Sequence, residues 1–495
     1  QMKLLTSLKS TSAFLIFAQM LWTPAAFAQN LNSISEQLHS YNLLNPELFK
    51  KKDQPDQKSS SEPSEECQSF ITSLQDKYTY GWIEAPLNYS LQNSEKIKVF
   101  YYYKKTEKLK NPILFFNGGP GFSSHSSVSQ IESSIAKLEV KGQLDFIYID
   151  QRGTGCSSPS FPIGASTEIF ENLKWSASLG IVNDSEILRE QLLGPGSKWK
   201  IFGQSYGAYI VYRYIEKYPA SITKAYAHGN AIGMTDYDGS YFRILSQHTV
   251  TEKYLKLFTD DRKRLQALNQ YFSDPTKCLQ NTLNQSMCGY ENMSPFVYLL
   301  GFRDSWKYLH IYLQRIVPES TVDEVALKNY VSQNVSQSFY YRESEAPEKW
   351  AERVTFFYNF AGLYDWDNTP LDAAKCNQIY VHLKEQHKLT PELLLLNECK
   401  APMQFNYQDQ MAAFIKSKID LTKTQFVDLA SVDKNLLKFK IPLYSYSGET
   451  DCFIPKQYFN KQNKLFGKKV TYKNFETSGH EGFYTERQIY ADLLK

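Results

Sequence analysis

Ser205 stands between two glycines, in Gly203-Gln204-Ser205-Tyr206-Gly207, where the apolar run from Trp199 gives way to a helix-periodic stretch ending at Pro219. Glycines allow a turn too tight for side chains, and a strand-to-helix turn of this kind lifts the serine hydroxyl above the sheet. A serine hydroxyl is a poor nucleophile unless a base takes its proton and a third group orients that base. Both partners follow in the order such a turn demands, acid before histidine. Asp451 lies in GETDCFIP, just past the strand-like IPLYSYS from Ile441, and His480 lies in TSGHEGF, just past VTYKNF from Val470. Each has a plainer reading alone: Ser205 as a helix cap, Asp451 as a turn acid, His480 as a surface histidine. Their order and context favour catalysis. Acyl transfer also needs hydrogen-bond donors for the developing oxyanion. The strand-like run from Pro112 ends in Asn117-Gly118-Gly119-Pro120-Gly121, so the backbone N–H groups of Gly119 and Tyr206 are the expected donors. Pro120 has no N–H to give.

The elements that must carry these residues are short apolar runs: KIKVFYYYK from Lys96, PILFF from Pro112, LDFIYI from Leu144, WKIF from Trp199, TKAYAH from Thr223, and the two near the end. Continuous apolar strands separated by helical stretches predict an α/β protein with a buried, mostly parallel sheet. Between about residues 235 and 436 the texture becomes helical, as in TEKYLKLFTDDRKRLQALNQYF and DSWKYLHIYLQRIV, and strand signals fade. This block holds four of the seven cysteines and reads as a helical insertion into the core. The expected division is a signal peptide at 1–28, a flexible linker at 29–66, core at 67–235, helical insertion at 236–436 and core again at 437–495. Residues 50–66 are charged, rich in Pro and Ser and nearly free of apolar side chains, as a linker would be.

Composition excludes some partners. A net charge of +3 over 495 residues makes no case for nucleic acid, and 42% hydrophobic with 22% charged content is that of an ordinary globular protein. Lys3 and Lys9 precede an apolar run from Ala13 to Trp22, and Ala26-Phe27-Ala28 forms a small-x-small cleavage pattern before Gln29. This predicts export to the periplasm or the exterior with no stable membrane anchor. Seven cysteines suit an oxidising location. Proximity pairs Cys278 with Cys288 and Cys376 with Cys399, with Cys67–Cys156 a weaker third pair and Cys452 the free thiol. No C-x-x-C or H-x-x-x-H spacing supports the competing metal reading.

NGGPG, the DQRGTGCSSP from Asp150, GQSYG, GETDCFIP and the SGH ending at His480 together resemble the prolyl iminopeptidase and tripeptidyl aminopeptidase family of α/β-hydrolases. WIEAPLNYS from Trp82 is similar to the leading strand of the secreted tripeptidyl aminopeptidase branch. The resemblance covers about residues 78–235 and 436–495 and is weak in the insertion. It implies an α/β-hydrolase fold: a mostly parallel central sheet flanked by helices, with a large helical cap inserted between nucleophile and acid. It further implies a serine exopeptidase that needs no cofactor or metal, with peptide substrates held by a free N-terminus, and structural roles for Asp150 and Arg152. In that family cap acids bind the substrate's α-ammonium group. Here Glu343, Glu345, Glu348, Glu352, Asp365 and Asp367 are candidates that no motif separates, and Glu343, Glu345 and Asp365 are carried as substrate-binding residues. NGGPG followed by FSS, with Ser-Tyr at the turn, also resembles serine carboxypeptidases. Those have Glu before the nucleophile and Ala between Tyr and Gly, where this chain has Gln204 and an immediate Gly207. Asn117 and Gln204 could donate to a C-terminal carboxylate, which keeps carboxypeptidase open. Carboxylesterase also stays open, because the same triad cleaves esters. Epoxide hydrolase or dehalogenase chemistry would want Asp in place of Ser205, and an inactive binding protein would be expected to lack a triad member.

Overall fold

The computed structural model describes residues 65–74, 76–158, 174–229, 236–280, 286–334, 373–400, 440–454, 456–457, 459–460 and 466–495. The expected signal peptide, nearly all of the linker, and Glu343, Glu345, Glu348, Glu352, Asp365 and Asp367 lie outside these residues.

In chain order, the first part of the core contains α1 (Glu65–Leu74), β1 (Tyr78–Pro86), β2 (Lys96–Lys104), β3 (Pro112–Phe116), α2 (His125–Lys137), β4 (Asp145–Ile149), α3 (Ser178–Leu193), β5 (Trp199–Gln204), α4 (Tyr206–Lys217) and β6 (Ile222–His228). There follow α5 (Asp236–Leu257), α6 (Asp261–Phe272), β7 (Cys278–Gln280), β8 (Ser286–Cys288), α7 (Ser294–Leu300), α8 (Trp306–Ile316), α9 (Glu324–Asn334) and α10 (Ala373–His387). β9 (Leu443–Gly448), β10 (Val470–Phe475), α11 (Gly482–Thr485) and α12 (Arg487–Leu494) complete the core.

Eight strands form one sheet in the order β1-β2-β4-β3-β5-β6-β9-β10. The β1–β2 and β2–β4 pairs are antiparallel, and the remaining pairs are parallel. Alternation along β3 shows why its residues are all apolar: both of its faces are covered. Leu114 and Phe116 join Ile201, Val182, Ile210 and Val211 under α3 and α4. Ile113 and Phe115 join Phe202, Ile131, Ile489 and Leu493 under α2 and α12. Phe115, Phe202 and Phe483 stack on one another as a cluster of three rings.

The chain leaves the sheet after β6 and returns on the adjacent parallel strand β9. The intervening described helices build their own core from Tyr254, Leu265, Phe296, Trp306, Leu309 and Val331. The helical texture read from the sequence holds there with one addition, the short hairpin β7–β8, which the Cys278–Cys288 disulfide closes across directly paired positions. Cys67–Cys156 and Cys376–Cys399 form the other two expected disulfides, and the Cys452 thiol is free and buried. Among the described residues, no helix is long and apolar enough to cross a membrane.

Candidate active site

β5 ends at Gln204 and α4 starts at Tyr206, leaving Ser205 alone at the turn with φ 58° and ψ −120°. A side chain at positive φ costs about 1–3 kcal/mol, a strain that persists only where surroundings enforce it. Here the Ser205 N–H donates to the His228 carbonyl at the end of β6 (2.8 Å), fixing the turn from one side. On the other side α4 is drawn hard against β3: a Cβ on Gly207 would stand 2.0 Å from the Phe116 carbonyl oxygen. The Gly118 backbone runs beside the nucleophile, 3.2 Å from Ser205 Cβ measured at the position a Gly118 Cβ would take. The glycine loop after β3 and the serine turn after β5 are therefore direct neighbours, as their adjacent strands require.

Asp451 follows β9 and His480 follows β10, so the acid and histidine come from the next two strands along the same sheet edge beyond β6. His480 Nδ1 lies 2.7 Å from Asp451 Oδ2. Asp451 is fully buried, and its Oδ1 accepts the N–H groups of Phe453 and Ile454, both at 2.9 Å. A carboxylate held this way selects the tautomer with the proton on Nδ1 and leaves Nε2 as the basic nitrogen. Burial by itself would push the ring's pKa down, but the Asp451 carboxylate, with Glu481 adding to it, holds it above the usual histidine range. The ring sits over the end of β6, with its Cε1 3.0 Å from where a Cβ of Gly229 would be. Phe302 and Phe453 meet it edge-on, at centroid separations of 5.9 and 5.1 Å.

The two amides expected at a substrate carboxylate are engaged inside the protein. Asn117 Nδ2 donates to the Ser123 carbonyl (2.7 Å), while its Oδ1 accepts from Ser127 Oγ (2.7 Å), so this side chain braces the glycine loop. Gln204 Nε2 donates to the His480 carbonyl (3.1 Å), tying the serine turn to the histidine loop. Asp150 and Arg152 are structural. Asp150 is fully buried, accepts from Ser124 N–H and Oγ and from Cys156 N–H, and faces His125 Nε2 at 2.8 Å. Arg152 forms a buried two-point ion pair with Asp184 and donates to the carbonyls of Pro86 and Leu87. His125, Asp150 and Cys156 lie close enough together to suggest a metal site, but the Cys156 sulfur is bonded to Cys67. Disulfide sulfur is no thiolate ligand.

Two neighbours escaped the sequence reading. His228 is fully buried beneath the site, neither ring nitrogen has a hydrogen-bond partner among the described residues, and burial pushes its pKa down to about 3, so it stays neutral. Glu481, the residue after His480, turns its carboxylate into the protein to accept from Gly479 N–H (2.9 Å) and Arg303 N–H (3.1 Å). Only the adjacency of Glu481 to His480 was visible beforehand.

A doubly wound, mostly parallel sheet whose serine turn, glycine loop, acid and histidine all sit at carboxyl ends of neighbouring strands gives this chain an α/β-hydrolase fold. Residues 111–309 match the family model described as alpha/beta hydrolase fold. The chain's similarity is to prolyl iminopeptidases: it is 31% identical to the proline iminopeptidase of Aeromonas sobria over 151 residues, 28% of this chain and 33% of that one. It is 24% identical to proline iminopeptidase aneH of Aspergillus aculeatus over 254 residues, 47% of this chain and 54% of that one. The chain thus spans about half and about a third of the length of these two relatives. Among solved structures, that of a proline iminopeptidase from Mycobacterium smegmatis aligns with a TM-score of 0.38 at 12% identity, covering 84% of this chain and 96% of that one.

Proposed function

We propose that the protein is an exported serine hydrolase that cleaves peptide bonds near a free N-terminus. In this reading Ser205 Oγ attacks the scissile carbonyl while His480 Nε2 takes its proton. Asp451 holds the Nδ1 proton and stabilises the imidazolium that forms. The N–H groups of Gly119 and Tyr206 receive the oxyanion; Tyr206 opens α4, and the N–H groups of a helix's first turn point out of its N-terminus. His480 then protonates the leaving amine, and water drawn by the same base releases the acyl group from Ser205. The observation that carries the proposal is the His480–Asp451 pair, its histidine carbonyl bonded by Gln204, the residue before a serine held at positive φ on the same sheet edge. The aminopeptidase preference rests on the relatives and on the motif order. Asn117 and Gln204, which could have donated to a C-terminal carboxylate, each give one amide N–H to a backbone carbonyl of the site instead. Export is supported by the N-terminal sequence pattern and three disulfides.

The test is a panel of chromogenic amides and esters with free and acetylated N-termini, run on wild type and on Ser205→Ala, with a serine-directed phosphonate as label. Wild type should take the label at Ser205 alone, and Ser205→Ala should fold, lose the label and lose hydrolysis by several orders of magnitude. Acetylating the amine should cost at least ~100-fold, about 2.7 kcal/mol. Equal cleavage of acetylated substrates would replace the aminopeptidase by an esterase, and release from the C-terminus would replace it by a carboxypeptidase.

A further inference from the structure

The loop that carries His480 is bonded to the insertion as well as to the core. The His480 N–H donates to the Gly301 carbonyl (2.9 Å), and the Arg303 N–H donates back to both carboxylate oxygens of Glu481, at 3.2 and 3.1 Å. Residues 301–303 form a strap within the 301–305 connection from α7 to α8, two helices packed in the insertion's own core. Phe302, between the two anchor points, is the residue that meets the His480 ring edge-on. Glu481 also accepts the Gly479 N–H from its own loop, so a single carboxylate gathers the residue before the histidine and the end of the strap. It is 8% exposed, which leaves little water to replace those donors if the carboxylate is lost.

We infer that Glu481 is a positioning residue for His480, its carboxylate fastening the 301–303 strap of the insertion to the histidine loop. The inference rests on the proposed role of His480 as the base. The charged groups around Glu481 are His480 beside it, Arg303 on the strap and Asp304 just after it, and Asp451 beyond the histidine ring; His228, below, is neutral. Burial pushes the Glu481 carboxyl up to about 7; the N–H donors of Gly479 and Arg303 pull it down, and Asp304 adds to the rise. His480 is also held above its usual range, with Glu481 among the causes. The two groups are electrostatically coupled, the Glu481 carboxylate favouring the protonated form of His480. Protonating Glu481 removes an acceptor from the strap.

The experiment compares kcat, KM and the pH profile of kcat/KM for wild type and Glu481→Gln on an activated ester, with phosphonate labelling of Ser205 as the second readout. Wild type should lose activity on the acid side as His480 takes up its proton. Glu481→Gln should show a one-proton limb displaced to lower pH, because the negative charge that raises His480 is gone. Its kcat should fall ~10–100-fold, the scale of loss for a displaced catalytic group, with KM within about twofold. Glu481→Gln with the wild-type limb and kcat overturns the assignment while leaving a labelled, active triad intact. A wild type that neither labels nor turns over sinks the triad reading and takes this inference with it. If the Gln variant does not fold, Glu481→Asp carries the test: it keeps the charge but withdraws the carboxylate by one methylene, so kcat falls. An Asp variant as fast as wild type overturns the inference.

Discussion

Gly207→Ala adds one methyl group to the serine turn, and the structure says what it meets. Its Cβ would stand 2.0 Å from the carbonyl oxygen of Phe116, 2.6 Å from the carbonyl carbon and 2.9 Å from the Asn117 oxygen. All three atoms are backbone at the end of β3, so no side chain can swing aside. Ordinary contact begins near 3.4 Å, and the start of α4 must therefore move from β3 by more than an ångström. β3 runs directly into the loop that carries Gly119, whereas the start of α4 carries Tyr206. The same displacement thus separates the two proposed oxyanion donors and moves Ser205 with one of them. Overpacking of this kind costs about 1–3 kcal/mol of stability. A misplacement near 1 Å costs roughly 100-fold in rate. Gly196→Ala is the control: φ is +72°, nothing lies within 4 Å of its Cβ, and only backbone strain of about 1–3 kcal/mol should follow. Urea unfolding, turnover of an activated ester and the rate of phosphonate labelling should be measured on both variants. Both lose stability, but only Gly207→Ala should lose rate. A Gly207→Ala enzyme within about twofold of wild type in turnover, or a Gly196→Ala enzyme equally slowed, refutes the argument that this approach sets the site's geometry.

Asp451→Asn should leave the fold intact while lowering kcat by about 10⁴-fold, since the amide favours the wrong histidine tautomer. What activity remains should have its acid limb at lower pH than wild type, because the carboxylate that holds His480 above its usual range is gone, and a limb that stays in place counts against the pairing. Replacing both Cys67 and Cys156 by Ser removes a cross-link between positions 89 apart, worth up to roughly 4–5 kcal/mol through the unfolded chain, and urea unfolding should register a loss of that order. In the native, unreduced protein, Cys278 and Cys376 should resist alkylation, and rapid modification of either contradicts the disulfides.

The difference between what could be read from the chain and what could not follows the reach of each interaction. The placement of Ser205, Asp451 and His480 at strand ends was legible because each follows an apolar run that had to be a strand. The sheet was legible because both faces are buried, which leaves continuous runs such as Pro112–Phe116. The β7–β8 hairpin was not, since three-residue strands are too short to show a period. Asn117 and Gln204 show a subtler limit. Their side chains announced hydrogen-bond donors beside a nucleophile, but residue type does not specify an acceptor, and both turned out to hold backbone carbonyls of the site's own loops. Glu481 goes further, because its strap partner Arg303 lies 178 positions away in the chain. There the consequence concerns the architecture. With the His480 N–H bonded to Gly301 and Glu481 to Arg303, the insertion belongs to the framework of the proposed base, so sequence changes that retune the insertion for a new substrate must preserve the backbone path of 301–303 to keep that histidine in place.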